Sequence, residues 1–84
     1  MDSTRRAELS LLRRETRGVE KALNQKHVDP FELRWAFEAV GAVAMHTDHD
    51  DIRARATHTL KTFAEGKHAL NFIAADVLLE LPHR

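Results

Sequence analysis

The sequence predicts an all-α protein, a compact bundle of about four helices near residues 4–25, 30–46, 49–65 and 67–81, forming a single domain over 1–84. Three observations predict this class. Apolar residues recur at spacings of three and four through most of the chain, the period of an amphipathic helix. No segment alternates with the period of two that a half-buried strand requires. Start and stop signals at Asp29-Pro30, Asp48, Gly66 and Pro82 divide the periodic stretches from one another.

Ser3 or Thr4 is placed to cap the first helix, which runs to about Gln25 on a narrow stripe of Leu9, Leu12, Thr16, Val19 and Leu23. Ala7 and Leu11 lie off that stripe. Gly18 falls mid-helix on the outward side, where it costs about 1 kcal/mol against Ala, and it marks a candidate kink. Through Lys26 the segment has seven basic residues against four acidic ones, so the positive end of the molecule is here.

The second helix is the one the others are expected to pack around. Asp29 is a favoured N-cap and Pro30 follows at the first helical position, where its missing N–H is tolerated. At about 100° per residue, Leu33, Ala36, Phe37, Val40, Val43 and Ala44 share one side, while Phe31, Trp35, Ala42 and Met45 share the opposite one. A helix apolar nearly all round is normally buried on both sides. Ala36, Ala39, Gly41, Ala42 and Ala44 keep it thin, so its neighbours can approach closely.

Asp48 is the expected N-cap of the third helix, with Asp50 and Asp51 in the first turn where the helix dipole favours negative charge. Ile52, Ala56, Thr59, Leu60 and Phe63 form its apolar face; Arg53, Arg55, His58, Lys61 and Glu65 face water. Asp51 and Arg55 have the spacing of an i, i+4 ion pair. Gly66 is expected to end the helix at C′. The last helix doubles its apolar surface as the second does, with Leu70, Ile73, Ala74, Val77 and Leu81 on one face, and Phe72, Ala75 and Leu79 on the other. Pro82 stops it.

Composition bounds the function. With 84 residues the chain builds one small core and has little room for an enclosed multi-substrate active site. Thirteen basic residues balance thirteen acidic ones, so no net field points to nucleic acid or an anionic membrane. There is no cysteine, hence no disulfide framework and no thiolate metal site, which fits a cytoplasmic protein. The opening residues contain no apolar stretch of a secretion signal, and no run reaches the roughly 18 residues that span a bilayer.

The doubled faces are the most informative feature. One reading makes the second and fourth helices interior, each touching neighbours on two sides. The other makes Phe31, Trp35 and Met45, with Phe72 and Leu79, a surface for self-association or a protein partner, since aromatic and Met anchors are enriched at such surfaces. A small domain also gains disproportionately from dimerising.

Arg13, Arg14, Arg17 and Lys21 fall within about one third of the first helix's circumference. Their usual meaning is a solvated face; contact with an acidic protein surface or phosphates is the functional one. Nucleic-acid binding through this Arg-rich helix ranks lower, because zero net charge gives little non-specific affinity and no aromatics interleave the arginines. A helix-turn-helix with Arg53 and Arg55 reading bases would bring Asp48, Asp50 and Asp51 against the phosphates. Glu38, within the second face, is either a rim residue or a partner for an arginine.

His46, Asp48, His49 and His58 have the ligand types for Zn²⁺ or a similar ion, the basis of an alternative metal-binding regulator or enzyme. Their spacing matches no compact ligand motif, so no metal and no cofactor is expected. No nucleophile-base or Gly-rich phosphate signature is present, and His27, His68 and His83 fall near element ends.

From Asp29 to Glu65, with Asp51-Ile52-Arg53 followed by Ala56 and Leu60, the chain resembles one helical pair of a HEAT-type repeat. The resemblance covers under half of the chain, and stacked repeats need at least three copies, so it implies no function. The expectation is a non-enzymatic, homodimeric interaction module or regulator, such as an adaptor, an inhibitor or antitoxin-type neutraliser, or a chaperone-like protein. It docks through the second faces, with the basic side of the first helix steering an acidic partner.

Overall fold

The Asp29 side chain accepts the backbone N–H of Phe31 at 2.9 Å, and this cap with Pro30 at N1 opens the helix that organises the chain. The computed structural model describes residues 3–81, Ser3 through its backbone alone. It contains α1 (Ser3–Leu23), α2 (Pro30–His46), α3 (Asp50–Ala64), a 3₁₀ turn (Ala69–Asn71) and α4 (Phe72–Glu80), with no strand among the described residues. The protein is therefore all-α, with the four expected helices. Pro82 and His83 lie outside the described residues, as does any capping by the Ser3 side chain.

One core joins all four helices. Leu12 and Val19 of α1, Leu33, Phe37, Val40, Val43 and Ala44 of α2, Ile52, Ala56 and Leu60 of α3, and Ile73, Ala74 and Val77 of α4 are buried together. The Phe37 and Phe63 rings meet edge-on with centroids 5.6 Å apart. α2 touches each of the other three helices. The body measures 42 × 25 × 17 Å, and since a helix with side chains is about 10–12 Å across, it is a slab about two helices thick. Each helix keeps one side toward water, so neither α2 nor α4 is an interior helix.

Several local expectations give way to tertiary contacts. Asp48 does not cap α3: His49 holds the cap position, and its side chain does not bond the N–H groups of the first turn. The Thr47 hydroxyl instead accepts the His49 N–H at 3.1 Å and donates to Glu8 of α1 at 2.9 Å. Arg53 does not simply face water. It donates to Asp50 at 2.6 Å and to the Thr47 carbonyl at 2.7 Å, closing the same corner. Asp51 pairs not with Arg55 but with Arg5, through a two-armed guanidinium contact across the bundle. A bidentate Arg pair is stronger than a single-armed helical one, which explains the choice.

That contact holds the Asp51 carboxyl down at about 2, against an ordinary value near 3.8, with the Arg5 hydrogen bond as the main cause. A depressed carboxylate contributes stability above its ordinary value and loses it as pH falls through the folded one. The contribution of this pair is therefore present above about pH 4 and fades toward pH 2. Acid titration of unfolding should show Asp51→Asn losing stability relative to wild type at neutral pH, with the two curves converging in strong acid. Equal curves throughout would show that the pair contributes nothing.

α1 runs unbroken through Gly18, which is exposed. Gly66 does not adopt the left-handed C′ conformation; its N–H closes a tighter turn onto the Phe63 carbonyl at 3.1 Å. Glycine is required there for space, because a Cβ would sit 2.3 Å from the buried Asn71 amide nitrogen. The fourth helical segment begins later than its periodicity implies. His68 Nδ1 accepts the Leu70 N–H at 3.0 Å and starts the 3₁₀ turn, so His68, at an element end as expected, is a half-buried cap.

Candidate interaction surfaces

α2 and α4 pack side by side at a point of close approach. A Cβ on Gly41 would meet Val77 Cγ1 at 2.8 Å, so the glycine permits the contact. Beside it, Arg34 of α2 reaches both Glu38 (3.7 Å) and Asp76 of α4 (3.8 Å). Glu38 is thus an exposed residue whose arginine partner is on its own helix. Below this bridge an open cleft is lined by Glu38, Ala42, Met45, His46, Glu80 and Leu81.

The second faces flank this seam and are open. Phe31 is 77% exposed, Trp35 75%, Met45 44%, Phe72 56% and Leu79 75%. Trp35 follows Arg34 on α2. On α4, Asp76 lies to one side of Phe72 and Leu79, within about 60° of each around the helix, so the Arg34–Asp76 bridge borders the apolar stripe of α4. Ala42 is exposed with them, and Ala75 is half-buried. Side chains this large rarely stay in water together without a partner, because burying each one contributes roughly 1.5–3 kcal/mol.

The basic stripe of α1 divides. Arg14 is exposed and near Glu15, at 3.7 Å. Lys21 is exposed. Arg13 and Arg17 turn toward α3, where they share a shallow groove of about 300 Å³ with Thr16, Glu20, Arg55 and Thr59, floored by Leu12. The helical periodicity of α1 could not show that Arg55, expected to face water and pair with Asp51, belongs to this group. Its spacing of four from Thr59 on α3 was the available signal, since both must then face the same neighbour.

The metal candidates are not brought together. His46 lines the α2–α4 cleft, whereas His58 shares a surface dent with Asp50 and Lys61 and lies 3.5 Å from the Thr62 hydroxyl. Asp48 is exposed and His49 half-buried at the start of α3. Among the described residues, no three His, Asp or Glu side chains are grouped to hold an ion. Arg53, one of two candidate base-reading residues, is committed to Asp50 and Thr47. No helix is long and apolar enough to cross a membrane among the described residues. No protein-family model, curated protein or solved structure matches the chain.

Proposed function

We propose that the protein is a non-enzymatic interaction module whose α2–α4 face is covered by a second copy of the chain, and that the dimer regulates a protein partner in the manner of an adaptor, inhibitor or chaperone. The carrying observation is the exposure of Phe31, Trp35 and Met45 on α2 and of Phe72 and Leu79 on α4, two helices in contact with each other. With aromatic side chains presenting about 150–250 Å² each, these five offer on the order of 600 Å². That approaches the roughly 800 Å² per partner of a standard interface. Arg34, Glu38 and Asp76 put both signs of charge on the face, and a two-fold contact between copies sets such a patch against itself. The exposed basic side of α1 supports the steering of an acidic partner. A cytoplasmic setting, which the cysteine-free composition supports, is part of the same proposal.

Sedimentation over a concentration series tests the reading. Wild type should form a dimer and Trp35→Glu a monomer with unchanged helix content, since the indole is open to solvent. Loss of one central aromatic of this kind weakens association by about thirtyfold or more. A wild-type chain that stays monomeric at the highest concentration it tolerates would overturn the dimer.

A further inference from the structure

The groove between α1 and α3 has a charge arrangement that the rest of the molecule does not repeat. Arg5, Arg14, Arg34 and Arg53 each have a carboxylate within reach. Arg13, Arg17 and Arg55 line one groove, and none of their three guanidinium groups makes an ion pair or hydrogen bond among the described residues. Arginine cannot shed its charge, and Arg13 and Arg17 are like charges at i, i+4, which repel. Two helices thus hold three fixed cations around a space that no side chain fills.

We infer that this groove is a binding site for a compact dianion of the phosphate-monoester type, free or carried on a phosphorylated side chain. Guanidinium forks match phosphate oxygens in paired hydrogen bonds. The Thr16 hydroxyl, which makes no hydrogen bond among the described residues, is available as a further donor. The Thr59 hydroxyl is already committed to the Arg55 carbonyl at 2.9 Å and fixes the start of that arginine's turn. Glu20 at the rim supplies one negative charge against the three positive ones, leaving two, which balances a phosphate dianion. Three arginines around about 300 Å³ suit a single phosphate group, whereas a nucleic-acid backbone needs a run of successive phosphate contacts. A volume of about 300 Å³ is at the small end of ligand clefts.

This deepens the reading of α1's basic side as partner-facing and does not depend on the apolar face. The test is an NMR titration of the full chain, following the arginine Nε–H signals, at physiological salt, where charges beyond about 8 Å are screened. Inorganic phosphate should produce saturating shifts confined to Arg13, Arg17 and Arg55. Arg17→Gln should weaken binding about tenfold, the loss of one charge-assisted contact, while Arg14→Gln, off the groove, stays within about twofold. A phosphoserine peptide that binds more tightly than inorganic phosphate makes a modified protein the source, and equal binding makes it free phosphate; either supports the site. Unsaturable drift of all arginines together, equal losses in Arg14→Gln and Arg17→Gln, or an oligoglutamate peptide binding as tightly as phosphate would overturn it. Trp35→Glu should titrate as wild type, so failure of the dimer and failure of this site give different results.

Discussion

Replacing Phe37 with alanine is expected to remove about 3–5 kcal/mol of stability, the range for emptying a buried aromatic site. The ring is 1% exposed, is among the largest fully buried side chains and meets Phe63 edge-on. It belongs to α2, which touches each of the other three helices, so the cavity cannot be closed by shifting one neighbour without disturbing a second. At roughly 0.05–0.15 kcal/mol per residue, a chain of 84 residues has about 4–13 kcal/mol in total. Phe37→Ala should therefore lose between about a quarter and all of that stability, with its urea midpoint sharply lowered or absent by circular dichroism. A midpoint within about 1 kcal/mol of wild type would mean that the core is not centred on this ring.

The second large effect is at Gly41. Leucine there is expected to cost about 3 kcal/mol, the upper end for overpacking a filled site, because even the first added carbon lies 2.8 Å from Val77 Cγ1. Val77 is β-branched and has little rotamer freedom with which to give way. Gly18 supplies the control: nothing lies within 4 Å of a Cβ built there, so Gly18→Ala should gain about 1 kcal/mol from helix propensity alone. Thermal unfolding of both variants measures the contrast. A tolerated leucine at position 41 would mean that α2 and α4 do not approach as described.

The parts of this fold that were legible in the chain are those decided within one helical turn. Asp29 and Pro30 set the start of α2 correctly because the cap bond spans two residues. The angular sorting of α2 and α4 separated buried Leu33, Phe37, Ile73 and Val77 from exposed Phe31, Trp35, Phe72 and Leu79, since side-chain direction follows position on a helix. Two of the mistaken local assignments yielded to a distant partner. Asp51 had Arg55 four residues away and took Arg5, 46 positions earlier. Asp48 had the chemistry of a cap, but Thr47 was tied to Glu8, 39 positions away. The late start of α4 reflects the His68 cap and the buried Asn71 against Gly66, neither of which has a periodic signature. For the same reason the stripe on α1 was visible and its third arginine, on α3, was not.

The small size of the domain has a calorimetric consequence. At about 0.7 kcal/mol per residue, the unfolding enthalpy of these 84 residues is close to 60 kcal/mol. The melting transition is then broad, and each 1 kcal/mol gained or lost moves its midpoint by about 4–8 °C. A domain this small registers small changes in free energy, whether from a bound ion or a neighbouring copy, as easily measured shifts in temperature.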